Sequence, residues 1–297
     1  MKPRVLFLVG PTAAGKSSLA LKLAQKINAE IISCDSMQVY CGMDVLTSKP
    51  SKQERKKVRH HLIDIVPPSK NFDVSRYRRR ALKAIKEVHG RGRLPLFVGG
   101  TGLYVSMVID GIFEKKTENA AVRRRLYSLA GKRGSACLHD RLKKADPRAA
   151  AKIHPHDTRR IVRALEVFQT TGRTISELQA ERTGLGGSYD VRIFGLDVPR
   201  RALYKKIDAR VERMFRAGLV REVRRLLAGR LSRTARYAIG IPEVKTYSEG
   251  ALSLAEAREL MKKNTRKYAR RQLTWFRRDK RIQWIHNASD ILQSLKG

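Results

Sequence analysis

Short apolar runs alternate with amphipathic segments over the first third of the chain. Three runs of strand length, at 4–9, 29–34 and 94–99, end in turn residues. Apolar residues recur at helical spacing after Gly15 and again from Asp73 to Gly90, where Arg78 falls on the outward face. Buried strands that alternate with helices are typical of a parallel sheet covered on both faces. The pattern therefore predicts an α/β core.

From Gly111 the pattern becomes mostly helical. Helices are predicted over 121–130, 136–144 and 157–171, and strand character resumes at 189–198. A helical block between two pieces of α/β core is typical of an inserted domain. We expect residues 112–188 to form a helical insertion, and residues 1–111 and 189–297 to form the core.

The last third of the chain predicts two long helical stretches and one edge strand. The stretches are 201–227, broken at Gly218, and 254–275, and a turn over 235–243 separates them. The edge strand is predicted at 281–285. In the helix of the insertion that starts at 157, the predicted core face consists of Ile161, Val162, Leu165 and Phe168.

The net charge of the chain indicates a binding partner. The chain has 64 Lys and Arg residues against 27 Asp and Glu residues, a net charge of +37. A polyanion would neutralise this self-repulsion, so nucleic acid is the expected partner, with a merely solvated basic surface as the alternative.

Other features of the sequence predict the location, the state of the cysteines and histidines, and the oligomeric state of the protein. No run reaches the roughly 18 apolar residues of a membrane span, and the first strand follows Met1 almost directly, so we expect a cytoplasmic protein. Three cysteines without a C-x-x-C pair predict free thiols. His60 and His61 have no third ligand nearby and are predicted to be structural. Without a sustained heptad pattern, we expect a monomer.

The first strand leads into a phosphate-binding sequence. Residues 10–17 fit G-x-x-x-x-G-K-[ST], the motif of ATP-binding and related nucleotide-binding proteins, and they lie between a strand and a helix. In this motif backbone N–H groups and a lysine hold phosphates, and the final hydroxyl ligates Mg²⁺. The sequence predicts a di- or triphosphate site, with Lys16 on the phosphates and Ser17 on Mg²⁺.

Two further residues follow strands at the same edge of the predicted sheet. Asp35 follows the second strand, where a carboxylate can hold Mg²⁺ through water, accept a proton from a nucleophile, or cap a turn. The third strand ends in glycines and Thr101, without the Walker-B carboxylate that an ordinary P-loop NTPase has there. A hydroxyl beside backbone N–H groups suits a leaving diphosphate, although a capping role is the alternative.

A basic cluster opens the predicted helix at 157–171. Arg159 and Arg163 lie one turn apart, and Arg160 is beside them. Arginines grouped in this way suit contacts with phosphates or bases, and a solvated face is the other interpretation.

Five segments in order along the chain resemble the bacterial tRNA dimethylallyltransferases. These segments are 10–17, 35–40, 99–104, 159–166 and 269–276, so the resemblance runs nearly end to end. It implies a P-loop NTPase-like parallel-sheet core and a helical insertion that holds the anticodon stem-loop of tRNA. It also implies transfer of a dimethylallyl group from dimethylallyl diphosphate to N6 of the adenosine 3′ to the anticodon.

The resemblance also implies a role for each matching residue. Asp35 would take the proton from N6, and Thr101 would assist at the leaving oxygen. The diphosphate would be held by Gly10, Thr12, Ala13, Ala14, Gly15, Lys16 and Ser17. The tRNA would be contacted by Asp35, Ser36, Met37, Gln38, Arg123, Arg159, Arg160, Ile161, Val162 and Arg163.

One segment departs from the family pattern and keeps alternatives open. The family usually has Ile-Gly-Tyr and a basic residue where this chain has Ile239, Gly240, Ile241 and Pro242. That is closer to adenylate isopentenyltransferases, so the acceptor could be adenylate. A P-loop kinase of small metabolites and an RNA-binding module are the further alternatives.

Overall fold

A parallel sheet forms the centre of the protein in the computed structural model, which describes residues 2–113 and 117–296. Six strands pair in the order β3-β2-β4-β1-β5-β6, and every pairing is parallel. The strands are β1 (Arg4–Val9), β2 (Ala29–Cys34), β3 (His60–His61), β4 (Leu94–Gly99), β5 (Asp190–Leu196) and β6 (Ile282–Ile285). The predicted α/β fold is confirmed, and β6 lies at the edge as expected.

Helices connect and cover the strands. In the described chain they are α1 (Lys16–Lys26), α2 (Asp44–Thr47), α3 (Lys52–Lys57), α4 (Val74–Gly90), α5 (Gly102–Ile109), α6 (Ala120–Ala145), α7 (Pro147–Ala150), α8 (Thr158–Thr171), α9 (Ile175–Ala180), α10 (Arg200–Arg216), α11 (Leu219–Ala228), α12 (Ile241–Ser248), α13 (Leu254–Phe276) and α14 (Ala288–Lys296). Within the described residues, no helix combines the length and apolar character needed to cross a bilayer.

The chain divides into two compact units. Residues 1–109 and 185–297 form the first, and residues 110–184 form the second. The second unit has an apolar core of its own between α6, α7 and α8, in which Leu126, Leu138 and Leu165 are buried. Residues 114–116, inside the predicted insertion, lie outside the described residues.

The centre of the sheet in the first unit is buried on both faces because β1 and β4 are apolar at nearly every position. Phe7 packs on one face, where its ring stacks on Phe97 with centroids 4.5 Å apart. Leu6 and Leu8 pack on the opposite face, towards α1 and α10. This arrangement directs the carboxyl ends of β1, β4 and β2, which are adjacent in the sheet, to one edge.

Several local predictions are corrected. Arg78, expected on the outer face of α4, is only 8% exposed, and Phe168, expected in the core, is 36% exposed. In contrast, the prediction of two helices between 121 and 144 is confirmed, because the dihedral angles of Gly134 (φ 76°, ψ 163°) are not helical and break α6 into two parts. A helical period identifies an apolar stripe, but neighbouring elements decide which edge of the stripe is covered.

The segment 235–243 is not only a turn. It contains a 3₁₀ turn, Ala235–Tyr237, and the start of α12, where Pro242 occupies the first helical turn and gives up no intrahelical hydrogen bond. The Glu243 carboxylate accepts a hydrogen bond from the N–H of Gly240 at 2.7 Å. Ile241, where the chain departs from the family pattern, is only 2% exposed, so its side chain belongs to the core.

Candidate active site

The phosphate-binding loop joins β1 to α1. Gly15 has a φ of 101° at the start of α1, in the region that favours glycine, and Ala13 also has a positive φ of 62°. Lys16 donates a hydrogen bond to the carbonyl oxygen of Pro11 at 2.6 Å, which folds its side chain over the loop. The loop lines a cleft of about 740 Å³ with Thr12, Ala13, Gly15, Lys16 and Ser17, whereas Gly10 and Ala14 are buried behind it.

Burial and a neighbouring guanidinium both disfavour the charged form of Lys16. Burial, and then the nearby Arg210 guanidinium, lower the pKa of Lys16 to about 7, and the carboxylate of Asp35 offsets this only in part. Burial also lowers the pKa of Arg210 itself. An anion in the cleft would stabilise both charged forms, so the charges there fit a phosphate ligand.

Asp35 lies at the end of β2 and faces the same cleft. One carboxylate oxygen, Oδ1, accepts hydrogen bonds from the N–H groups of Met37 at 2.8 Å and Gln38 at 3.3 Å. These contacts fix the carboxylate on its own turn. Both the capping interpretation and a role in the cleft therefore agree with its position.

The turn after β4 lies against the turn after β2. Thr101 Oγ1 accepts a hydrogen bond from the N–H of Ser36 at 3.0 Å, and the N–H of Thr101 donates to the carbonyl of Cys34 at 3.2 Å. The predicted catalytic pair, Asp35 and Thr101, thus lies on two adjoining turns. The turn after β4 carries no carboxylate.

A second, smaller cavity of about 220 Å³ opens on the other side of Asp35. It is lined by Thr12, Asp35, Ser36, Met37, Leu46, Thr47, Arg210, Val211, Met214, Tyr237, Ala238, Ile239, Met261, Thr265, Tyr268 and Arg271. After the roles that the family resemblance implies for their lining residues, we call it the acceptor chamber and the larger cavity the phosphate cleft. Five residues line both of them: Thr12, Asp35, Thr47, Arg210 and Met214. Of the predicted adenosine contacts, Ser36 and Met37 line the chamber, whereas Gln38 lines the phosphate cleft.

Two residues that the sequence analysis did not select hold this site together. Gln272 on α13 accepts a hydrogen bond from the N–H of Thr12 and donates one to the carbonyl of Gly100, both at 2.8 Å. Arg210 on α10 donates to Thr12 Oγ1 at 2.8 Å and to the carbonyl of Thr47 at 3.3 Å. Arg210 is one of many arginines in the sequence, and no local signal distinguishes it.

The half-buried Tyr268 adds a phenol beside this pair. Burial, together with the negative charge of Asp35, raises the pKa of Tyr268 to about 12. The phenol is therefore protonated at neutral pH and can act as a hydrogen-bond donor.

Two arginines of the second unit pair with one buried carboxylate. Glu166, fully buried, forms ion pairs with Arg123 and Arg163, each at 3.0 Å, and accepts a hydrogen bond from the N–H of Asn119 at 2.9 Å. Burial alone would raise the pKa of Glu166, but these hydrogen bonds outweigh it and lower the pKa. Arg163 also donates to Thr117.

The remaining predicted tRNA contacts of this unit divide into two kinds. Arg159 and Arg160 are exposed at the start of α8, where Arg160 pairs with Asp157 at 3.3 Å. Ile161 and Val162, also predicted to contact tRNA, are 0% and 1% exposed. Both side chains pack in the core of the unit, so their contact with tRNA stays a prediction and would involve the backbone.

His60 of the histidine pair also lines the phosphate cleft, and both histidines have local hydrogen-bond partners. His61 Nε2 lies 2.6 Å from a carboxylate oxygen of Glu30, and His60 Nδ1 lies 2.7 Å from the carbonyl of Val58. Among residues 2–113 and 117–296, no group of three or more His, Cys, Asp or Glu side chains has an arrangement suited to a metal ion.

Comparisons with known proteins agree with this geometry. The sequence pattern of the IPP transferase family matches residues 38–279. A tRNA dimethylallyltransferase of Geobacter sulfurreducens is 48% identical over 286 residues, which cover 96% of this chain and 92% of that protein. One of Moorella thermoacetica is 49% identical over 295 residues, which cover 97% and 91%.

Solved structures extend the likeness to the fold. A tRNA isopentenylpyrophosphate transferase of Bacillus halodurans superposes with a TM-score of 0.71 at 41% identity, covering 96% of this chain and 90% of that one. A eukaryotic dimethylallyltransferase acting on tRNA gives a TM-score of 0.81 at 30% identity, covering 98% and 75%. The fold and the phosphate loop define a P-loop-type α/β enzyme core. The chain belongs to the IPP transferase family, as the resemblance of its motifs predicted.

Proposed function

We propose that the protein transfers a dimethylallyl group from dimethylallyl diphosphate to N6 of the adenosine 3′ to the anticodon in tRNA. The single observation that carries this proposal is the position of Asp35, whose side chain lines both the phosphate cleft and the acceptor chamber. A reaction between a diphosphate ester and a base needs a site of this kind. The names of the relatives support the same substrates.

In this proposal the phosphate cleft holds the diphosphate of the donor. Lys16, Arg210 and the N–H groups of the loop neutralise the charge that develops as the bond between carbon and oxygen breaks. Thr101 would assist at the leaving oxygen from the adjoining turn. Diphosphate leaves with the electron pair of that bond.

The acceptor chamber would receive the adenine ring. Its mixed lining, with Met37, Leu46 and Met214 beside Asp35 and Arg271, suits an apolar ring with polar edges. An acceptor atom inside a base stack cannot be reached by in-line attack, so the base must leave the stack. As N6 bonds to the carbon, its proton passes to Asp35, which acts as general base.

We propose Mg²⁺ as the cofactor. The residues fit it, because the Ser17 hydroxyl contributes an oxygen donor to the cleft, and Mg²⁺ is usually held by one or two protein ligands together with substrate phosphates. When bound, the ion would add positive charge at the diphosphate oxygens.

The arginines of the second unit are proposed to contact the anticodon stem-loop, with Arg159 and Arg160 exposed and Arg123 and Arg163 positioned by Glu166. One chain is proposed to suffice, since residues of one chain line both cavities. The substrate would place the reaction in the cytoplasm.

Label transfer tests the proposal. Dimethylallyl diphosphate labelled in the prenyl group is incubated with Mg²⁺ and either unmodified tRNA or AMP. Label on tRNA alone is expected. Label on AMP would instead indicate an adenylate isopentenyltransferase, and label on neither acceptor would refute the transfer reaction.

A further inference from the structure

An aromatic ring projects into solvent beside the acceptor chamber. The side chain of Tyr237 is 73% exposed, whereas the other exposed large apolar side chains of the described chain are at most 44% exposed. Tyr237 also lines the chamber that contains Asp35. Because the residue is both strongly exposed and part of the lining, its ring lies where the chamber opens to solvent.

The turn that carries Tyr237 is anchored, so the ring cannot be buried by a small movement of the backbone. Ser232 donates its N–H to the carbonyl of Pro68 at 2.8 Å, and its hydroxyl accepts from the N–H of Ala235 at 3.2 Å. Ala235 is 0% exposed and Ala238 is 4% exposed. Tyr237 thus projects between two residues that are fixed in the core.

Positive charge surrounds the ring. Arg233 and Arg236 are exposed on the same turn, and Arg271 lies on the wall of the chamber. Exposed aromatic rings among arginines are typical of surfaces that stack nucleobases and hold the phosphates between them.

We propose that Tyr237 is a stacking platform for the nucleobase that flanks the acceptor adenosine. This proposal rests on the proposed function, in which the acceptor base leaves its stack. Removal of that base exposes one face of its neighbour to water, and the Tyr237 ring at the mouth of the chamber covers that face. The contact involves ring faces, so it would stabilise the opened stem-loop without depending strongly on the identity of the flanking base.

A fluorescence experiment tests the stacking role of Tyr237 independently of the transfer reaction. Anticodon stem-loop RNAs carry 2-aminopurine immediately 5′ or 3′ of the acceptor adenosine, because stacking quenches its emission. Each RNA is titrated into the full-length protein without a prenyl donor. The variants are Tyr237→Phe, which keeps the ring, Tyr237→Ala, which removes it, and Leu260→Ala, which truncates an exposed side chain outside both cavities.

We expect quenching at one flanking position with the native protein, Tyr237→Phe and Leu260→Ala, and loss of that quenching with Tyr237→Ala. Loss of one stacked base should also raise the KM for tRNA of Tyr237→Ala by about 5-fold to about 150-fold, with an unchanged slope of affinity against salt.

Equal quenching by Tyr237→Ala and the native protein, or no quenching at either position, would overturn the stacking role even if native transfer is intact. Quenching that depends on the ring, in a protein that fails to transfer label, would support the platform while refuting the proposed reaction.

Discussion

The side-chain amide of Gln272 donates a hydrogen bond to the carbonyl oxygen of Gly100 at 2.8 Å, across 172 residues of sequence. The amide oxygen of the same side chain accepts from the N–H of Thr12. One buried side chain on α13 therefore links the phosphate-binding loop to the turn after β4. The relative position of the two turns depends on this link.

Replacement of Gln272 by alanine should destabilise the protein by about 2–4 kcal/mol, because it leaves the partly buried N–H of Thr12 and the buried carbonyl of Gly100 without their partner. Urea denaturation measures the change, and Arg270→Ala, at an exposed position on the same helix, is the matched control. A loss of stability no larger than that of the control would contradict the linking role.

Diphosphate binding should take up a proton through Lys16. Its pKa is lowered to about 7 from 10.5, so the ammonium is mostly neutral at pH 8.5 in the free protein, and a bound anion favours its protonation. Calorimetry with inorganic diphosphate at pH 8.5, in two buffers of different ionisation enthalpy, measures the uptake. Lys16→Met should abolish it, and uptake that persists in this variant would assign the proton to another group.

The lowered pKa of Lys16 also determines the direction in which this residue changes the free energy of unfolding with pH. Between pH 7 and 10.5 the unfolded chain binds more protons at Lys16 than the folded chain, so this group makes folding more favourable as pH rises through that window. Below about pH 7 the unfavourable contribution of Lys16 to the free energy of folding has its full value. Substitution by methionine should flatten this part of the dependence of unfolding free energy on pH.

Asp35→Asn should separate the chemistry from the structure of the turn. The amide oxygen can still accept from the N–H groups of Met37 and Gln38, so the turn is retained, but the residue can no longer take a proton from N6. Turnover should fall by about 10² to 10⁴, with the affinity for tRNA unchanged. Single-turnover transfer and filter binding measure the two quantities. Native turnover in this variant would remove Asp35 from the role of general base.

Glu166→Gln should loosen the second unit. The substitution removes the charge that Arg123 and Arg163 share, at a cost of about 2–3 kcal/mol, below that of a fully buried pair because both arginines are about one third exposed. Hydrogen exchange in α6 and α8 should accelerate, and the affinity for tRNA should fall.

Asp140→Asn is the control for this effect, since Asp140 forms an exposed pair with Lys143 in the same unit. The lowered pKa of Glu166 also means that its contribution is present above pH 4.5 and is lost as pH falls through the lower value of the folded state. Equal exchange rates in the two variants would show that the buried carboxylate does not organise this unit.

Sequence patterns predicted those parts of the site that are formed by short continuous segments of the chain. The bounds of β1 and β2, the phosphate-binding loop and the absence of an acid after β4 all depend on residues adjacent in sequence. Gln272 and Arg210 could not be selected in this way, because a helical period shows that a residue lies on one face but not which distant turn it meets. The burial of Arg78 and the exposure of Phe168 have the same cause.

The order of the strands sets a distance for the reaction. The phosphate-binding loop follows β1 and Asp35 follows β2, and β4 lies between them. Adjacent strands are about 4.8 Å apart, so the anion cradle and the carboxylate are held roughly 10 Å apart by backbone hydrogen bonds. The spacing of the strands thus fixes the distance between the two groups. In the proposed reaction this separation keeps two negative charges apart and leaves room between them for the departing oxygen, the reacting carbon and N6 in line.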